Sequence, residues 1–251
     1  EIAETLGEGC TLVELGSGSH RKAAVMLKLL RHPDGYIAID VSADQLKQAV
    51  HALAREFPRL PMTGICADFG EDADSLPLEQ SAGDGPLWGF FPGSTVGNMA
   101  PDDAAAFLAQ WARRLSGGGM LIGVDLVKDA SILNAAYNDA AGFTSAFNRN
   151  MLEHIRRRLD TDIEPNRFSH RAFFNPQRSR VEMHLISDSA QAINIEGHRF
   201  EFAAGESIHT ENSYKYTPDN FDALVRRAGF RPERAWTDAK EYFSVHYLAA
   251  P

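Results

Sequence analysis

Strand-like apolar runs alternate with helical stretches through the first half of the chain, and a glycine turn follows the first run. Thr11-Leu12-Val13-Glu14-Leu15 reads as a buried strand, Gly16-Ser17-Gly18 as the turn, and Arg21 to Arg31 as a helix. Gly35 to Asp40, Met62 to Ala67, Leu87 to Phe91 and Gly119 to Asp125 repeat the strand signal. Between them, Ser42 is expected to cap a helix running to about Phe57, and Asp102 or Asp103 to open one running to Leu115. Strands separated by helices of this length imply βαβ units and a doubly wound, parallel α/β sheet.

The pattern changes after the fifth strand. Lys128 to Leu159 reads as largely helical, and Phe173 to His209 as short β segments such as Arg180 to Leu185. A helix resumes after Thr217-Pro218-Asp219, and Glu233 to Trp236 and Tyr242 to Leu248 could form two closing strands. This predicts a Rossmann-like domain over 1–127 and 215–251, with an inserted α+β, substrate-binding subdomain over 128–214.

Composition narrows the function. The 251 residues carry a formal net charge of -9, which disfavours a nucleic-acid partner. The one basic run, Arg156-Arg157-Arg158, reads as a solvated helix face or a carboxy-terminal turn. Only two cysteines are present, so a disulfide framework is not indicated and a cytoplasmic location is expected. Membrane partners are not expected, because no apolar run is long enough for a span. The chain begins at Glu1 and enters a strand almost at once, so residues preceding it are expected.

Two glycines after a buried strand let the backbone approach a ligand at the carboxyl end of the sheet. A dinucleotide loop would want a third glycine where Arg21 stands; a methyl-donor site has no pyrophosphate to cradle. Asp40 closes the second strand, where a carboxylate can accept both ribose hydroxyls. Asp68 can take an adenine amino group and Phe69 can cover the ring; the lesser reading of Asp68 is a helix cap. The turn Ser116-Gly117-Gly118-Gly119, leading into a strand that ends at Asp125, is common in class I methyltransferases. Together these features favour S-adenosyl-L-methionine over a nicotinamide cofactor.

Longer motifs carry a narrower resemblance. Phe91-Pro92-Gly93-Ser94-Thr95-Val96-Gly97-Asn98, Asp125 to Asp129, Tyr137 to Gly142, Phe147 to Asn150 and Thr210 to Tyr216 resemble the histidine-specific Nα-methyltransferases of ergothioneine biosynthesis. The resemblance implies a class I methyltransferase fold and transfer of methyl groups from S-adenosylmethionine to the α-amino nitrogen of L-histidine. The implied product is the trimethylated betaine hercynine. It further implies that Gly16, Lys22, Asp40, Asp68 and Phe69 contact the methyl donor. Asn98 and Tyr137 would hold the substrate's α-carboxylate, Glu211 and Ser213 the imidazole, and Met183 would pack near that ring. Asn98 could instead be only a left-handed turn residue, and Tyr137 and Met183 could be core. Family members carry a longer preceding segment with a tyrosine that helps to close the pocket; Glu1 to Val13 contains no tyrosine.

Such chemistry needs a neutral amine held in line with the methyl group, so positioning is expected to dominate and no catalytic acid or base is assigned. Phe147 and Tyr137 are candidates to face the methylated ammonium. No metal is expected, since no histidine pair has helical zinc spacing with a third ligand nearby, and His198 and His209 read as surface residues. A small-molecule substrate and a monomer are expected. Two alternatives stand beside this reading: the same fold acting on another amino acid such as a tryptophan derivative, and a non-catalytic or NAD-binding module. Glu211 speaks against the first, because a buried carboxylate finds few partners on an indole.

Overall fold

Every residue of β1 (Thr11–Leu15) and β2 (Gly35–Asp40) is buried, the signature of strands covered on both faces. The structure is a computed structural model that describes residues 1–18, 20–71 and 73–251. With β3 (Met62–Cys66), β4 (Leu87–Phe91) and β5 (Gly119–Asp125), these strands run parallel in the order β5-β4-β1-β2-β3. Two later strands, β11 (Arg231–Thr237) and β12 (Phe243–Ala249), join antiparallel beyond β5 and complete a seven-stranded sheet. Strand order reverses between β1 and β4, so the loops leaving those two strands flank the crevice where such sheets bind ligands.

Amphipathic helices cover this sheet: α1 (Ile2–Leu6), α2 (His20–Leu29), α3 (Ala43–Glu56), the short α4 (Leu78–Ser81), α5 (Pro101–Arg114) and α8 (Pro218–Arg227). Helix α1 falls where the sequence was read as leading directly into a strand. In α5, Ala104, Phe107, Leu108 and Trp111 are buried at the spacing of one helical face. Pro101 opens that helix because the first turn needs no N–H there; Asp102 and Asp103 lie inside the first turn, not at the cap. Ser42 does precede α3, but its side chain makes no capping bond. The glycine turn into β5 is needed for close approach, since a Cβ on Gly118 would lie 2.1 Å from the Leu87 carbonyl oxygen.

The chain divides into two compact units, Glu1–Leu126 with Tyr216–Pro251, and Val127–Lys215. The second unit holds α6 (Ala130–Tyr137), α7 (Phe143–Arg158), β6 (Phe168–Asn175), β7 (Arg180–Ser187), β8 (Gln191–Ile195), β9 (His198–Phe202) and β10 (Ser207–Tyr214). The stretch read as largely helical is two helices, with a break between α6 and α7. There the Asp139 carboxylate accepts the backbone N–H groups of Phe143 and Thr144 at 2.8 Å each. The β segments begin earlier than expected, at Phe168. Strands β10-β7-β6 form an antiparallel sheet, and β8-β9 a separate hairpin. The apolar face of β6 and β7 packs on Leu133 of α6 and Leu152 of α7. Arg156, Arg157 and Arg158 are exposed in the last turn of α7, where cations complement the helix dipole. Among the described residues, no helix is long and apolar enough to cross a membrane.

Candidate active site

The loop leaving β1 is anchored by backbone bonds. The Gly16 and Ser17 N–H groups both donate to the Ile39 carbonyl, at 2.9 and 3.3 Å. Gly16 has φ +76°, a conformation that L side chains rarely adopt, and its Cα faces the Phe69 ring edge. The Ser17 hydroxyl is fully buried and has no hydrogen-bond partner among the described residues. An unpaired buried hydroxyl in a ligand-facing loop fits a site built for a polar cofactor. Just inside this loop, the Tyr36 hydroxyl donates a hydrogen bond to the Glu14 carboxylate. Burial raises the Glu14 carboxyl to about 7, against the lowering effects of that bond and of the Lys22 charge.

Asp40 closes β2 and is largely buried; its Oδ1 accepts the Ser42 N–H at 2.8 Å, which fixes the carboxylate at the strand end. Asp68 is exposed and its Oδ1 accepts the Gly70 N–H at 2.7 Å, an Asx turn in place of the helix cap that was the alternative reading. The Phe69 ring meets Phe91 and Phe107 edge-on, with centroids 5.8 and 6.1 Å away, and the Trp111 indole N–H donates to the Phe69 carbonyl at 3.1 Å. Lys22 is exposed on α2 and its Nζ lies beside Gly93 in the loop after β4. That loop carries Asn98, which is exposed at the end of a short 3-10 turn. The left-handed residue here is Ser94, with φ 59°, and not Asn98. Ser94 also accepts the Asp125 N–H on its Oγ at 2.9 Å, tying the loop to the end of β5.

In the second unit, Tyr137 ends α6 and is held on both sides. The Asn138 side chain pairs with the backbone of Ala172 in both directions, at 2.9 and 3.0 Å, and His170 Nε2 lies 2.8 Å from the Tyr137 carbonyl oxygen. The Tyr137 hydroxyl donates to Ser213 Oγ at 2.8 Å. Lys215 Nζ donates to both oxygens, each at 2.8 Å. Glu211 and Ser213 pair with Met183 and Val181, so they share the face that α6 covers. Met183 is buried in the cluster with Leu133, Ala172 and Val181, on the face that also carries Tyr137. Burial raises the Glu211 carboxyl above its ordinary range, and among the described residues that carboxylate has no hydrogen-bond partner. Phe147 is 64% exposed on α7.

The opposite face carries a cluster absent from the sequence reading. Glu182, His184 and His209 bring one ligand-type atom each within 4.8 Å of one another. Glu182 already takes Arg180 at 2.8 Å and Asn175 at 3.1 Å, and the two imidazoles are stacked with planes 14° apart. Glu182 also meets His184 Nε2 at 3.3 Å, and the arginine neutralises the carboxylate. The cluster is therefore a packed ion-pair network on the outer face of the sheet. His209 and His198 are exposed, as expected.

Sequence reasoning passed over three residues: Tyr36 as the partner of Glu14, Ser94, and Lys215. The only local signal for Lys215 is its spacing, two positions beyond Ser213 in an extended segment.

The profile of one protein family, described as histidine-specific methyltransferase, SAM-dependent, matches residues 1–250. The chain belongs to that family. The histidine N-alpha-methyltransferase of Mycolicibacterium smegmatis is 39% identical over 241 residues, covering 94% of this chain and 74% of that protein. The protein of the same name from Mycobacterium tuberculosis is 37% identical over 245 residues, covering 95% and 75%. In structure, the chain is similar to the CcbJ methyltransferase from Streptomyces caelestis, with a TM-score of 0.53 at 16% identity, covering 99% of this chain and 92% of that one. That likeness concerns the class I methyltransferase fold. As a family member the chain is an S-adenosylmethionine-dependent methyltransferase, and the NAD-binding and non-catalytic readings fall away.

Proposed function

We propose that this enzyme transfers methyl groups from S-adenosylmethionine to the α-amino nitrogen of L-histidine and yields the trimethylated betaine hercynine. The observation that carries the substrate is the pair Glu211 and Ser213, side by side on an apolar strand face. A carboxylate accepts one imidazole N–H while a hydroxyl bonds the other ring nitrogen. A site built to satisfy both nitrogens rejects rings that lack them.

The cofactor supplies an electrophilic methyl group. Gly16, Lys22, Asp40, Asp68 and Phe69 hold it: Gly16 by close backbone approach, Asp40 at the ribose hydroxyls, Asp68 at the adenine amino group and Phe69 against the adenine ring. Asn98 and Tyr137 take the α-carboxylate of the amino acid. Met183, paired across the strands with Glu211, packs near the imidazole ring. No side chain is needed as a general base if the amine enters neutral, because alignment supplies most of the rate. Methylation ends at the quaternary nitrogen, which has no lone pair left to attack. The free thiols Cys10 and Cys66 support work in a reducing compartment, the cytosol, and we read the working form as a monomer.

Mass spectrometry of the amino acids, each incubated with enzyme and methyl donor, tests the reading directly. Histidine should gain three methyl groups, and tryptophan should gain none under the same conditions; preferential methylation of tryptophan would replace the proposed substrate.

A further inference from the structure

Lys215 is 3% exposed, and no step proposed so far uses it. Its ammonium lies 4.8 Å from the Tyr137 ring centroid and donates to Tyr137 Oη and Ser213 Oγ, at 2.8 Å each. An ammonium has three N–H bonds and no lone pair, so both bonds run outward from the lysine. Each hydroxyl oxygen therefore accepts from Lys215, and each hydroxyl proton must point elsewhere. The Tyr137 proton rests on Ser213 Oγ at 2.8 Å. With Lys215 and Tyr137 both donating to it, Ser213 Oγ has filled its two lone pairs, and only its own proton remains to bond.

We propose that Lys215 is a positioning residue that makes the Ser213 and Tyr137 hydroxyls donors toward the substrate. This rests on the reading above, in which those hydroxyls meet the imidazole and the α-carboxylate. Once Tyr137 turns to the carboxylate, Lys215 still donates to Ser213 Oγ. Its charge favours that hydroxyl as a donor to a ring nitrogen with a lone pair, while Glu211 accepts from the nitrogen bearing a proton. One lone pair and one N–H describe the neutral imidazole, and the nearby ammonium repels the imidazolium. For Tyr137, binding re-aims a single proton from Ser213 Oγ to the incoming carboxylate, with no movement of heavy atoms. A hydrogen bond beside a fixed charge is stronger than a neutral one, so one lysine strengthens contacts at both ends of the amino acid.

Lys215→Met tests this, with Lys215→Gln alongside so that the comparison survives if methionine fails to fold here. The expected result is a fall of roughly 30-fold in kcat/KM for histidine, carried mainly by KM. The affinity for S-adenosylhomocysteine, measured by calorimetry, should not change. The deciding measurement is the same lysine substitution made in a Tyr137→Phe/Ser213→Ala enzyme. There the two oxygens that Lys215 orients are gone, and the substitution should cost less than about threefold. An equal loss in both backgrounds would mean that the ammonium acts on something else, and the proposal would be wrong. Should Tyr137→Phe/Ser213→Ala itself leave the KM for histidine unchanged, the assignment of those hydroxyls to the substrate fails, a result separate from any effect of Lys215.

Discussion

His209 and Glu211 stand two positions apart on β10 yet face opposite sides of the sheet. His209 pairs with His184 and Glu211 with its neighbour Met183, because the register shifts at Thr210. One extra residue in a ladder reverses the side on which everything beyond it falls. The Thr210 hydroxyl bonds the Met183 carbonyl at 2.9 Å and so holds the bulge in place. Without it, Glu211 would share a face with His184 and the ion-pair network instead of with Met183.

Glu211→Ala should lower kcat/KM for histidine by about 10- to 100-fold, or roughly 1.5–3 kcal/mol. Activity towards phenylalanine or tryptophan should fall less, or rise, since an unpaired half-buried carboxylate has been removed. Steady-state kinetics on the three amino acids, with a melting curve as control, decides it. Equal losses on all three would reduce Glu211 to a brace for its strand.

Asp40→Ala should weaken methyl-donor binding by roughly 1.5–3 kcal/mol, the range for hydrogen bonds to a charged group. The mutant also loses the Ser42 N–H contact, so a melting curve has to accompany the calorimetry. A folded mutant with unchanged affinity would remove Asp40 from the ribose.

Histamine lacks the α-carboxylate assigned to Asn98 and Tyr137 and should be a very poor substrate. Turnover comparable with that of histidine, followed by the release of S-adenosylhomocysteine, would show that the pocket reads something else.

Glu14 predicts a stability difference with a defined sign. Burial lifts its carboxyl from 4.5 to about 7, so the folded chain keeps a proton that the unfolded chain has lost. Stability from this group is intact below about pH 4.5, falls as pH rises towards 7, and is constant above that. The loss is on the order of 3 kcal/mol. Glu14→Gln keeps an acceptor for the Tyr36 hydroxyl but cannot ionise. Its melting temperature should therefore gain on the wild type between about pH 5 and pH 7.5. A gap that stays constant across that range would refute the assignment.

What could be read from the sequence was whatever depends on near neighbours in the chain. Apolar runs such as Thr11–Leu15 and the positive-φ position at Gly16 are local requirements, so strands, helices and the cofactor loop were legible. The motifs carried the family for the same reason. What the tertiary structure alone decided depends on register and on contacts between distant residues. The sequence leaves Met183 open between pocket and core, and its burial against Leu133 is visible only in the packed structure. It suggests Asn98 as the left-handed residue, and the bond from the Asp125 N–H goes instead with Ser94 in that conformation. Tyr36 reaches Glu14 only because β1 and β2 lie side by side, and Lys215 reaches Tyr137 only because α6 packs on the sheet that β10 joins. Periodicity reports which residues of an element share a face; it is silent on what stands opposite, and the polar chemistry of a site is settled there.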